Sequence, residues 1–246
     1  MRALVAIVAA ELLASVAHGE PRHLRNSWII QPVAPPQGEQ ALVSGDFVLK
    51  QRLLPTGLVE LADRIEIDKL PTLPPGTQLV KVETPNDNVY CQPSALEESF
   101  MRGLHLCFVD SDRDLRFEGW FPARSQTASI LNIAGDRPKM PKALPDIAYH
   151  DVDTVKMTDV FFIGIERRNY FNIFSAESFM IAFGKDGSLS RITAPVAFKS
   201  REMPKQIAIL GARFTALSEK DGKMIVSVDE AMPRQPFGIF TTRTLQ

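Results

Sequence analysis

At 246 residues, 45% hydrophobic and 23% charged, the chain has the balance of a globular protein able to bury one large core or two small ones, which excludes disorder as its default state. Lysine and arginine number 28 against 29 aspartate and glutamate, and neither Arg167-Arg168 nor the Arg137–Lys142 stretch is interleaved with stacking aromatics. Nucleic acid is therefore excluded as a partner, because phosphate neutralisation needs a basic surplus or a basic patch.

The chain opens with Arg2, an apolar run from Ala3 to Ala10, the interruption Glu11, and a second run from Leu12 to Ala17. Small residues at Ser15 and Ala17, or Ala17 and Gly19, fit the rule for signal-peptidase cleavage, so residues 1–19 read as a signal peptide. The apolar stretch is too short and broken to cross a bilayer, and no later span is long enough; the mature chain is expected to carry no transmembrane segment. Export to the periplasm or the extracellular space follows as the expected localisation.

Residues 20–40 hold Pro21, Pro32, Pro35 and Pro36 and read as an extended segment in which Trp28-Ile29-Ile30 can lie down as an edge strand. Ala41 to Leu49 and Val59 to Ile67 alternate apolar and polar side chains with the two-residue period of half-buried strands, and Leu79 to Val82 forms another. Ser94 followed by Glu97 starts a helix whose apolar face carries Leu96 and Phe100 and which Gly103 stops, predicting one short helix near residues 95–102. Leu104–Val109 and Leu115–Phe121 flank a polar turn and predict a hairpin. The prolines at 138, 141 and 145 mark residues 137–145 as a linker between a β-rich lobe over 41–136 and a second over 146–246. In the second lobe Val160–Ile163 reads as a buried strand, and Lys185-Asp186-Gly187 and Lys220-Asp221-Gly222 each sit between two apolar runs as hairpin turns. Phe161, Phe162, Phe171, Phe174, Phe179 and Phe183 supply its core. Prolines, mixed charges and few Tyr and Trp argue against an outer-membrane barrel. The predicted fold is mainly β, an antiparallel sandwich or open-barrel type with two packed lobes.

Cys91 and Cys107 are the only cysteines, and in an oxidising compartment they pair. The loop they close, about 15 residues, makes that bond worth about 3 kcal/mol. Asp110, Asp112 and Asp114 stand at alternate positions, and this stretch resembles the first half of an EF-hand loop, a resemblance that implies calcium as ligand with Glu118 as a further donor. Leu115 stands where that pattern has Gly, Phe121 stands where it has its bidentate Glu, and Arg113 and Arg116 offset the acids. The competing reading is an acidic turn kept polar by water.

His105 reads as a strand residue with one ring nitrogen satisfied, on the face it shares with Cys107; His150 lies near Asp151 and Asp153, acids able to orient an imidazole. The nucleophile elbow, the Ser-x-x-Lys pattern, the zincin helix and the phosphate-binding glycine loops do not occur. The sequence thus supports a non-enzymatic envelope or periplasmic protein that binds another envelope protein or a glycan, or has a structural role, without a cofactor other than calcium. The alternative is an exported hydrolase using Asp and Glu side chains from several strands on polysaccharide or peptide.

Overall fold

The computed structural model describes residues 23–96, 103–170 and 176–239. In chain order its strands are β1 (His23–Arg25), β2 (Trp28–Ile30), β3 (Glu39–Leu42), β4 (Phe47–Pro55), β5 (Leu58–Leu61), β6 (Gln78–Val82), β7 (Asn88–Cys91), β8 (Leu104–Asp110) and β9 (Arg116–Arg124). There follow β10 (Ala134–Asp136), β11 (Lys142–Val152), β12 (Phe161–Tyr170), β13 (Ala176–Lys185), β14 (Ser188–Lys199), β15 (Lys205–Ile209), β16 (Ala212–Lys220), β17 (Lys223–Glu230) and β18 (Pro236–Phe237). Helical geometry among these residues is confined to two single 3-10 turns, at Thr154–Lys156 and Ser200–Glu202.

The mainly β, antiparallel prediction is met by a closed barrel and a half-barrel. Strands β5 to β9 follow one another around the barrel, and β11 closes it between β9 and β5. Beside it lie a six-stranded sheet ordered β14-β13-β12-β4-β2-β18 and a four-stranded sheet ordered β15-β16-β17-β3. Closure removes the open edges that a six-stranded meander would otherwise present.

Two apolar clusters follow from the alternation of side chains along the barrel strands. Leu61, Leu79, Tyr90, Leu106, Phe108 and Tyr149 pack together in one. Val80, Val89, Cys91, Cys107 and Val109 belong to the other, with Ile163, Phe179 and Phe183 of the six-stranded sheet and Phe214 and Val226 of the four-stranded sheet. One flank of the barrel is thus dry because the open sheets cover it. Cys91 and Cys107, directly paired across β7 and β8, form a disulfide that is fully buried in this shared cluster.

Several expectations are refined. The run Ala41–Leu49, read as one strand, is broken by a turn: Asp46 accepts from the Val43 amide at 2.8 Å, Gly45 has φ +102°, and β3 and β4 go to different sheets. Alternation alone does not register such a break, since Ser44, Gly45 and Asp46 keep the pattern. The helix expected near 95–102 falls largely on residues 97–102, outside the described residues; Leu96 and Leu104 are joined by a backbone hydrogen bond of 2.7 Å. From Lys142 onward the proline-rich stretch 137–145 is strand, and Pro145, with no N–H to give, lies where the β11–β9 register shifts between Ala143 and Ile147. Phe161, Phe179 and Phe183 are buried as expected, while Phe171 and Phe174 lie outside the described residues. Both Asp-Gly turns join hairpins, β13–β14 and β16–β17.

Gly164 of β12 is required by space. A Cβ there would stand 2.5 Å from the Phe47 ring and 2.8 Å from the Leu49 carbonyl oxygen. Gly164→Ala is expected to cost about 1–3 kcal/mol through overpacking, read in urea unfolding as a lower midpoint with unchanged slope.

Candidate functional site

A groove runs along the seam between barrel and open sheets. It consists of three adjoining depressions of about 290, 410 and 230 Å³ that share the Ala128 wall. His105 lines two of them and is only 4% exposed. Its place follows from β8: Leu106 and Phe108 join one cluster, so His105, like Cys107, falls on the flank that meets the open sheets. Nδ1 lies 2.8 Å from the Gln92 carbonyl oxygen, which can only accept, so Nδ1 carries the hydrogen and Nε2 is left as an acceptor. Among the described residues no hydrogen bond reaches Nε2. Burial holds the imidazole pKa below its ordinary value of 6.5 and outweighs the opposing pull of the Gln92 carbonyl.

Because the native state favours neutral His105, the unfolded chain binds more protons between its own pKa and the lower folded one. The contribution is present above about pH 6.5 and is lost as pH falls through the folded value. His105→Asn is therefore expected to flatten the stability profile between pH 7.5 and 5, as measured by denaturant unfolding of both proteins.

The rim opposite β8 is fixed by its own hydrogen bonds. Ser125 Oγ donates to the Ile130 carbonyl at 2.9 Å and accepts from the Asn132 amide at 2.9 Å, while the Gln126 amide donates to the Asn132 carbonyl. Asn26 clamps the same loop from behind, giving Nδ2–H to the Leu131 carbonyl at 2.6 Å and accepting from the Ile133 amide at 2.7 Å; Trp28 Nε1 also donates to Leu131. At the mouth, Ser94 Oγ donates to Asp159 Oδ2 at 2.6 Å and accepts from Lys185 Nζ at 2.7 Å, and Lys185 reaches Asp159 Oδ1 at 2.8 Å. This hydroxyl is held between two charges, and no hydrogen bond joins it to His105 among the described residues. Among the described residues, the charged residues lining the three depressions are Arg124, Lys185 and Arg191, and the Asp159 carboxylate meets Lys185 at the mouth.

The acidic hairpin lies elsewhere, at the β8–β9 turn. Asp110, Asp112 and Glu118 bring one carboxylate oxygen each within 4.8 Å of one another; Asp114 is not in that group. Asp110 is fully buried. Its Oδ1 accepts from the Arg113 and Asp114 amides at 2.6 and 3.2 Å, and its Oδ2 from Tyr149 Oη at 2.6 Å and Asn88 Nδ2 at 3.4 Å. Four donors meet the four acceptor positions of a carboxylate. Asp114 accepts from the Arg116 amide and Glu118 from the Ser111 amide, so both also brace the turn. Burial, then the hydrogen bond to Asp110, keep the Tyr149 proton in place, and burial ahead of Asp151 and Asp110 pushes Tyr90 up to about 12.

His150 faces Glu60 across β11 and β5 at 3.7 Å, rather than being held by Asp151 or Asp153, and is exposed. The groove itself was not legible in the sequence, since Ser94, His105, Ser129 and Lys185 come from separate strands and loops. The one available signal was the shared parity of His105 and Cys107. Comparisons with protein-family models, with curated proteins and with solved structures give no match.

Proposed function

We propose that the chain is an exported, non-enzymatic binding protein of the cell envelope, periplasmic or extracellular, that takes its ligand in the seam groove. The groove-lining His105 carries this reading: its Nδ1 is tied to the fold, and among the described residues no hydrogen bond reaches its Nε2. The braced Asn26–Ser125 rim supports binding because a preorganised wall lowers the cost of association. The hydrolase alternative needs convergent carboxylates, and the groove lining supplies none among the described residues. A buried disulfide, and described residues without a helix long and apolar enough to cross a membrane, are compatible with export.

Thermal melts of the disulfide-bonded protein against neutral and anionic envelope-type oligosaccharides and against short peptides test the reading, since a ligand bound only by the native state raises the midpoint. At least one class is expected to raise it, and His105→Leu to abolish the rise while keeping its own midpoint within a few degrees. No rise with any class, or an equal rise in the variant, overturns the assignment.

A further inference from the structure

We infer that the ligand of the groove is a neutral, hydroxyl-rich glycan that gives hydrogen bonds to the protein, one of them to His105 Nε2; this rests on the groove being the binding site. Three lining hydroxyls have already given their protons to the protein. Ser94 Oγ donates to Asp159 Oδ2, and Ser125 Oγ and Thr127 Oγ1 both donate to the Ile130 carbonyl at 2.9 Å. A carboxylate and a carbonyl only accept, so the direction of all three bonds is fixed. Ser125 is also filled as an acceptor, by the Asn132 amide at 2.9 Å and the Thr127 amide at 3.4 Å. Thr127 Oγ1 receives no hydrogen bond among the described residues and keeps its lone pairs. It lines the 230 Å³ depression together with His105, whose Nε2 is an acceptor because the Gln92 carbonyl holds the ring proton on Nδ1. The groove thus offers these two acceptors to a ligand that must bring the protons.

Charge narrows the class of donor. Lys185 is engaged by Asp159 at 2.8 Å and Arg191 by Glu166 at 2.7 Å, so neither selects an anion, and a neutral imidazole acceptor has no proton to give a carboxylate or phosphate. An ammonium group would leave water for a lining that supplies no unpaired carboxylate among the described residues. A neutral donor remains. A peptide backbone brings one C=O with every N–H, and each C=O taken into the groove would need a protein donor. A sugar hydroxyl carries donor and acceptor on one atom, so it can give its proton to Nε2 or to Thr127 while its oxygen still faces water. The three depressions, joined along Ala128, form a track that suits a chain of sugar units.

The test is an amide NMR titration with neutral trisaccharides of glucose, mannose, galactose and N-acetylglucosamine, with trigalacturonate as an anionic glycan and acetylated trialanine amide as a neutral peptide. At least one neutral trisaccharide is expected to move the amides of His105 and Thr127. Its monodeoxyfluoro analogues, each of which keeps the size of one hydroxyl and removes its proton, then locate the donor. One of them is expected to bind about tenfold more weakly than the parent sugar, and to show no such difference in His105→Leu. If every analogue binds the wild-type protein within about twofold of the parent, the donation is overturned even if the variant does not fold. A loss that persists in His105→Leu overturns the assignment to Nε2. Trigalacturonate moving the groove amides while no neutral sugar does, with the effect lost in Arg124→Gln, overturns the inference and leaves the groove reading intact, as does the peptide moving them alone. None of the ligands moving them overturns the inference, and with no midpoint rise in the thermal melts the groove reading falls too.

Discussion

Arg167→Met is expected to destabilise the protein by about 3–5 kcal/mol, the cost of stranding a buried charge by removing its partner. Arg167 is fully buried in β12, and its guanidinium meets Glu177 of β13 through two bonds, Nε to Oε2 at 2.9 Å and Nη2 to Oε1 at 3.1 Å. Its remaining donor, Nη1, goes to the carbonyls of Leu42, at the end of β3, and Gly222, in the β16–β17 turn. One side chain thus ties the six-stranded sheet to β3 and to the β16–β17 turn of the four-stranded sheet. The variant leaves Glu177 at 2% exposure without a counter-charge and two carbonyls without donors. Adding Glu177→Gln to Arg167→Met should recover part of the loss, because the desolvated carboxylate is then gone. Denaturant unfolding of the two single variants and the double variant checks this; a loss under about 1 kcal/mol for Arg167→Met would mean that the pair behaves as if it were exposed.

Asp110→Ala is expected to cost roughly 3 kcal/mol or more, because hydrogen bonds to a charged group contribute about 1.5–3 kcal/mol each and several are lost together. The Arg113 and Asp114 amides lose the acceptor that shapes the hairpin tip, and Tyr149 keeps a buried hydroxyl with no carboxylate to meet. Arg113 and Leu115 both take positive φ, at 64° and 69°, so the turn is held in a conformation non-glycine residues seldom adopt. Asp110 is the residue that stabilises it. Because the protein already fills its acceptor positions, the loss is expected to be the same in excess calcium and in chelator. A calcium-dependent rise of the wild-type midpoint that disappears in Asp112→Ala, Glu118→Ala would instead make the hairpin tip a cation site.

The hairpins around Lys185-Asp186-Gly187 and Lys220-Asp221-Gly222 were readable because Asp-Gly supplies its turn locally, and the β8–β9 hairpin because apolar runs flank a polar turn. The disulfide was readable from the cysteine count and the expected compartment. Barrel closure was not, since it depends on β11 meeting β5 about ninety residues earlier in the chain, which no local pattern encodes. The break at Val43–Asp46 was hidden because a turn of that length preserves the two-residue period. The alternate acids at 110, 112 and 114 were visible, but their roles split with burial: Asp110 is inside, Asp112 and Asp114 are exposed. The groove stayed invisible because its chemistry is assembled from β8, the 125–130 loop and the β13–β14 hairpin, with one histidine that alone looks ordinary.

The most direct test of the groove as a binding site is the imidazole nitrogen spectrum of His105 at pH 7.5, recorded without ligand and with the compound that raises the melting midpoint. The predicted result is a neutral ring protonated at Nδ1, whose Nε2 resonance moves on binding while Nδ1 stays with Gln92. A ring protonated at Nε2, or an Nε2 resonance that does not respond to that compound, would contradict the account.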